Sequence, residues 1–386
     1  MSTRLTPNMK SLCLEQGMSL IELMVSLVIS AILILGVATV FLGSKRGYEV
    51  NEEIAILQEN ARFTLHTLTN EIRNAGFSSC GSLKGKQVNV ITLTPPPGFG
   101  PSPPAPPTPG VSNFGYNTHV TGHDINGAGV ASPAFDTLLG IVNIEPNTNA
   151  ITIRKAVSCS ARVTAVSVGV TTVTNNCNFA VGDVVIVSDC DKYDLISITD
   201  KASAGTDIAL SHGGAANVQN TLSMTPSALL PDFDIRVSKV ESIVYYIGRD
   251  APAGNLGLYE TRYSLVGGVV TPQRQLLVPD VEDMVITYGI DIDNDKDSQN
   301  NRTASLNAID TATNIEAMGA ADFNQLDPGE TSWSRVVSVN LRLLMASQPV
   351  GTTFKNYTFN NVNVVGTDTR YRKEFITAIN LRNKTP

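Results

Sequence analysis

The sequence predicts an α+β fold: a long N-terminal α-helix, membrane-spanning in its first half, packed on an antiparallel β-sheet with a large β-rich insertion. Three observations predict it. An apolar run from Met18 to Leu42 leads into a stripe of apolar residues at helical spacing. After residue 80 the apolar residues alternate with period two, as in Val337, Val339 and Leu341 against Ser338 and Asn340. No βαβ alternation follows, which argues against a parallel nucleotide-binding sheet.

The first element is the segment 1–17, polar and carrying Arg4 and Lys10. The apolar run 18–42 then covers about 25 residues, where about 20 suffice to cross a bilayer core. The basic residues ahead of it favour a cytoplasmic N-terminus. A secretory signal has a shorter apolar region with its cleavage site behind it. Here Gly17 stands in front, so cleavage after it would leave the membrane helix on the mature protein. Glu22 is the exception within the run. A carboxylate in lipid costs about 2.5–3.5 kcal/mol on insertion scales, so it calls for a partner. A freed Met18 amine would supply one, in the same chain or in a neighbour; snorkelling to the interface is the alternative.

The amphipathic continuation spans 43–76. Ile54, Leu57, Ala61, Leu65, Leu68, Ile72 and Ala75 form one stripe, with Glu52, Glu59, Arg62, Asn70 and Arg73 opposite. Gly76 is the expected stop. One helix over this whole stretch would be roughly 85 Å long, with Gly36, Gly43 and Gly47 as points where it could loosen. Segment 77–231 is the β-rich insertion, with a Pro-rich loop at 95–110 read as a surface excursion. Strands are expected at Ala150–Lys155, Ala161–Thr174, Asp183–Ser188 and Tyr193–Thr199. The region 232–386 supplies the C-terminal sheet, with strands at Asp234–Gly248, Leu256–Leu265, Gln275–Ile292, Val336–Ala346 and Tyr371–Leu381.

Composition narrows the function. Of 386 residues 16% are charged, and the net charge of −7 lacks the clustered basic face that nucleic acid demands. Cleavage after Gly17 would remove Cys13 and leave Cys80, Cys159, Cys177 and Cys190, an even set on the exported side. Three connectivities are open to them. Asp291, Asp293, Asp295 and Asp297 alternate like the start of a Ca²⁺ loop. Lys296 and Arg302 replace the Gly and Glu that an EF-hand needs at its sixth and twelfth positions. An acidic solvated turn is the favoured reading, a looser Ca²⁺ site the other; no further cofactor is expected. His119, His123 and Asp124 have spacing that could suit a metal, but sit in a Gly-rich stretch. With no Gly-x-Ser-x-Gly, P-loop or His-Glu-x-x-His, catalysis is not expected.

Gly17-Met18-Ser19-Leu20-Ile21-Glu22-Leu23 resembles the class III signal of type IV prepilins. The resemblance implies cleavage after Gly17 by prepilin peptidase, N-methylation of Met18 and a role for Glu22 in docking subunits into a filament. Met replaces the family's usual Phe at the first mature position. Further matches resemble the minor-pilin family PilW: Glu71–Phe77 with Cys80-Gly81, Ser242–Arg249, Leu258–Glu260, Leu277–Gly289, Trp333–Arg342 and Tyr371–Asn383. They imply a low-abundance subunit that primes pilus assembly and stays at the tip. Its partners would be other minor pilins, the major pilin, the inner-membrane assembly platform and a large tip adhesin. Twitching motility and cell adhesion would depend on it. It would begin as a single-pass inner-membrane protein with a periplasmic domain and end in the pilus. The resemblance also favours a Cys80–Cys190 bridge, leaving Cys159–Cys177 to close the insertion. A type II secretion pseudopilin shares the N-terminal signal and is the alternative; an enzyme tethered by the helix is a third class.

Overall fold

The computed structural model describes residues 19–77, 88–90, 119–135, 140–174, 177–189, 193–214, 217, 221–222, 235–251, 254–266, 269–293, 306–323, 331–351 and 353–381. The chain divides into two compact units, 1–54 and 55–386. Helix α1 (Leu20–Arg73) runs through Gly36, Gly43 and Gly47 without a break, so the expected loosening does not occur. A helical glycine costs about 1 kcal/mol against alanine, too little to break a ladder that its neighbours hold.

In the first unit the side chains from Leu20 to Leu42 are exposed, and the helix is apolar enough over this stretch to cross a membrane. The hydroxyls of Ser26, Ser30 and Thr39 donate to the carbonyls of Leu23, Ser26 and Gly36 at 2.9, 2.7 and 2.8 Å. They meet their polar demand inside the helix, as lipid requires.

The second unit begins with the last turns of α1, which bury Leu57, Ala61, Leu68 and Ile72. Fully burying each large aliphatic chain contributes about 1.5–3 kcal/mol. The turn after Arg73 closes at Gly76, whose φ of +74° suits a residue without Cβ. Its N–H donates to the Arg154 carbonyl at 2.8 Å, which ties the helix end to the sheet.

Eighteen strands are present among the described residues. They are β1 (Val88–Val90), β2 (Val120–Ile125), β3 (Ala131–Ser132), β4 (Asn149–Ser167), β5 (Val170–Thr174), β6 (Val184–Ser188), β7 (Tyr193–Ser197), β8 (Asp200–Ala204) and β9 (Asp207–Ser211). Then follow β10 (Arg236–Arg249), β11 (Leu256–Val266), β12 (Val269–Pro279), β13 (Val281–Ile290) and β14 (Ala308–Asp310). The short helix α2 (Ala312–Ala317) precedes β15 (Val336–Ala346), β16 (Tyr357–Phe359), β17 (Val362–Val364) and β18 (Arg372–Asn380).

The larger sheet has twelve strands, with the backbone order β1-β7-β6-β10-β4-β5-β9-β8. The smaller has four, ordered β14-β13-β15-β18. All pairs are antiparallel except β1 with β7. Strand β10 is the hub: one edge pairs with β4, the other first with β6 and then with β11. Segments on either side of residue 231 therefore share one sheet. Alternation along β10 serves two cores. Ile243, Tyr245 and Ile247 join the cluster that holds the buried face of α1 and the smaller sheet. Val244 and Tyr246 face the other way, towards Ile125, Tyr259 and Tyr263.

Two expected strands are each two strands. Ala161–Thr174 folds back at Gly169, φ +74°, giving the end of β4 and all of β5. Gln275–Ile292 turns at Asp280, φ +59°, where the chain leaves the larger sheet as β12 and enters the smaller as β13. Asp280 is held there by Arg370 and by Gln348, whose Nε2 donates to it at 2.7 Å.

Cys159 on β4 and Cys177 form a disulfide across 18 residues of sequence, with Cα atoms 5.9 Å apart. It lies against Val163, Val173, Phe179 and Val185. Loop-closure entropy gives such a bridge about 3 kcal/mol. Cys159→Ser is therefore expected to lower unfolding stability by about that amount. Denaturant titration under oxidising conditions measures it, and an unchanged midpoint would contradict the expectation.

Candidate functional site

The N-terminal segment starts with a local sequence device. The backbone N–H of Ile21 donates to Ser19 Oγ at 3.3 Å, and the N–H of Ser19 donates to Glu22 Oε2 at 3.3 Å. This is a Ser-x-x-Glu capping arrangement, which satisfies amides that the first turn of a helix leaves open. The positive end of the helix dipole also favours a carboxylate at this point. Glu22 is thus folded back on its own first turn. Sequence reading missed Ser19; its signal was the Ser-x-x-Glu spacing directly before the apolar run. Gly17 and Met18 lie outside the described residues.

The second part of the site is where the last turns of α1 meet the sheet. Lys155 on β4 lies 2.6 Å from Glu71 of α1 and 3.5 Å from Glu241 of β10. Arg262 on β11 continues the chain to Glu241 and Glu260 at 3.5 and 3.0 Å. Four elements are joined by alternating charges, all but Arg262 mostly covered. Tyr245 beneath them has its phenol pKa raised by burial first and by Glu71 and Glu260 next.

On the smaller sheet, Tyr288 meets the Trp333 ring edge-on at 5.1 Å, a favourable aromatic geometry. Trp333 Nε1 donates to Glu316 of α2 at 2.7 Å. Gly122 of β2 admits the Tyr288 ring, because a Cβ there would lie 2.2 Å from the phenol oxygen. At the rim, Arg372 donates to Glu282 at 2.5 Å and to Asp368 at 2.6 Å. That pairing with Arg372 holds the Asp368 carboxyl down at about 2.

Asp283 beside this network behaves in the opposite way. Burial pushes its pKa from 3.8 up to about 6, against the pull of the Met284 N–H. A folded pKa above the unfolded one gives stability that is present below 3.8 and lost as pH rises through about 6. Asp283→Asn is therefore expected to raise stability at about pH 7.5 by about 1–2 kcal/mol and to change little near pH 4. Thermal melts of both proteins across that range check it; an equal shift at both pH values would contradict it.

The histidine pair, a metal site of little weight by its spacing, is buried. His123 is buried between the Pro133 carbonyl at 2.7 Å from Nδ1 and Thr152 Oγ1 at 2.8 Å from Nε2. It also lies 4.3 Å from the Phe135 ring. Burial lowers its pKa to about 4, so it is a neutral core residue with both nitrogens engaged. His119 packs under Gly76. Asp124 accepts from Asn149 at 2.6 Å and from the Thr313 N–H at 2.7 Å, fixing the start of α2.

Of the acidic run, Asp291 is buried and its N–H donates to the Arg335 carbonyl at 3.0 Å. Asp293 accepts from Asn307 at 2.6 Å. Asp295 and Asp297 lie outside the described residues, as do Cys80, Cys190 and the Pro-rich loop 95–110. Among the described residues no group of three or more His, Cys, Asp or Glu side chains is placed to hold a metal.

Residues 14–38 match the prokaryotic N-terminal methylation motif. Residues 244–383 match the family profile of the type IV pilus-assembly protein W, PilW. The chain carries the signatures of a PilW-like type IV pilin. Neither a curated protein nor a solved structure matches it. The PilW match starts within β10 and takes in β11 to β18 with α2, so it includes the whole smaller sheet. The methylation motif covers Ser19, Glu22 and most of the apolar run. Together they support a type IV pilin involved in pilus biogenesis, a family whose members interact with other pilus components. Its motif and apolar helix fit a membrane anchor, and both matches point to a structural rather than a catalytic protein.

Proposed function

We propose that this PilW-like pilin is a minor pilin that primes type IV pilus assembly and stays at the filament tip. Prepilin peptidase cuts after Gly17 and methylates Met18. The mature subunit then waits in the inner membrane, single-pass, with its sheet domain in the periplasm. There it meets other minor pilins, the assembly platform and the major pilin, and at the tip a large adhesin. The observation that carries this reading is the joint presence of the methylation motif at 14–38 and the PilW region at 244–383.

The physical step is exchange of lipid for protein around the apolar helix. Lipid tails are as apolar as leucine, so packing and polar pairing must drive association. Glu22 supplies the polar pairing by leaving its capping contact with Ser19 for a neighbour's methylated Met18 amine.

The methylation motif alone would also suit a type II secretion pseudopilin. Deletion and complementation separate the two. Loss of surface pili and twitching with normal exoprotein secretion is expected; lost secretion with normal pili would overturn the reading.

A further inference from the structure

Beyond the membrane anchor itself, we propose that the C-terminal end of the apolar run holds one anionic phospholipid. An acyl chain lies along a groove at Gly36, and the phosphate sits at Ser44 and Lys45. The inference rests on the reading of α1 as membrane-spanning.

Gly36 carries no side chain and leaves a shallow, open apolar groove on the exposed helix face. Leu33, Val37, Val40 and Phe41 wall it and Ser44 closes it. These residues fall on two adjacent rows of the helix, because side chains four apart stack on one face. One row continues from Val40 to Ser44 and Tyr48, the other from Phe41 to Lys45. The apolar channel therefore ends at a hydroxyl and an ammonium group.

Three features suit a phosphodiester there. The Ser44 hydroxyl, unlike those of Ser26, Ser30 and Thr39, makes no hydrogen bond within the helix. Lys45 lies one turn beyond Phe41, and its side chain is 63% exposed despite a 3.6 Å contact with Glu49. Tyr48 stands one turn beyond Ser44, and Tyr is enriched where hydrocarbon gives way to headgroups.

The order of charges fixes the depth. Lys45 stands about 4.5 Å beyond Leu42 along the axis, whereas Glu49, Glu52 and Glu53 stand about 10–16 Å beyond it. The phosphates of the leaflet on this side attract Lys45 and Arg46 and repel the carboxylates, screened over about 8 Å. The helix is drawn down to Lys45 and stopped at Glu49.

The test is native mass spectrometry of the mature full-length chain released from mixed phosphatidylcholine–phosphatidylglycerol nanodiscs. One retained phosphatidylglycerol is expected on the wild type. Lys45→Gln should retain about fivefold less, and Gly36→Leu, which fills the groove, should retain none. Arg46→Gln, about 100° round the helix, should retain as much as the wild type. Equal retention by wild type, Lys45→Gln and Gly36→Leu would overturn the proposal, as would an Arg46→Gln loss equal to that of Lys45→Gln. A wild-type chain that inserts into the nanodiscs but is released without lipid sinks the lipid site alone. A chain that never inserts into the nanodiscs sinks the membrane reading with it.

Discussion

Glu22→Ala is expected to leave the protein folded and membrane-inserted while cutting its entry into filaments by about two orders of magnitude. Truncating one partner of a desolvated ion pair costs about 2–5 kcal/mol, and each 1.4 kcal/mol is about tenfold. The effect on the isolated subunit should be small. Among the described residues Glu22 there accepts a 3.3 Å hydrogen bond from the Ser19 N–H, and losing such a cap costs about 1 kcal/mol. Two further variants separate the roles. Glu22→Gln keeps an acceptor for the cap but has no charge, so it should fail in filaments like Glu22→Ala. Ser19→Ala removes the hydroxyl that caps Ile21 yet keeps the carboxylate, so it should assemble. The ratio of subunit in sheared filaments to subunit in membranes reads all three. Normal incorporation of Glu22→Gln would contradict pairing by charge.

Gly76→Ala is expected to destabilise the second unit by on the order of 3 kcal/mol. About 1 kcal/mol comes from forcing a Cβ into a left-handed conformation, and about 1–3 kcal/mol from overpacking. The added Cβ would sit 2.4 Å from the His119 ring, and that ring is buried. Gly129 is the control: it has the same φ of +74° but nothing within 4 Å of a Cβ. Gly129→Ala should therefore lose only the backbone share. Equal losses in the two variants, measured by chemical denaturation, would show that packing against His119 contributes nothing. A folded but unstable Gly76→Ala subunit should also assemble poorly, since its defect lies where α1 joins the sheet.

Much of this fold was legible because period and burial agree. The stripe Leu57, Ala61, Leu68 and Ile72 is buried as its spacing requires, and Gly76 ends the turn that follows Arg73. Strand β15 has the limits that alternation indicated, Val336 to Ala346. What escaped was turn chemistry. Asp280 adopts a left-handed conformation that glycine and asparagine usually signal, inside an unbroken β-prone run. The turn before β5 was hidden for a similar reason, because Val168 and Val170 flank Gly169. Strand β8 is exposed along its whole length, so no alternation marks it. The sharing of β10 between sheet partners far apart in sequence depends on tertiary pairing, which no local pattern carries.

The assembly site divides along the same line. Glu22 announced itself as a carboxylate in an apolar run, whereas its contact with Ser19 needed the capping geometry. The Glu71–Lys155–Glu241 network joins residues far apart in sequence, and composition gave no hint of it. The sequence reading gives His123 little weight as a metal ligand but cannot say what holds it, because spacing alone does not report that Pro133 and Thr152 occupy both ring nitrogens.

The central claim is that proteolysis creates the amine that the lipid-facing carboxylate needs. Intact mass spectrometry of the natural protein, with sequencing of its N-terminal peptide, tests it most directly. The expected result is a chain beginning at N-methylated Met18. A working protein that still carries Met1 to Gly17 would contradict it.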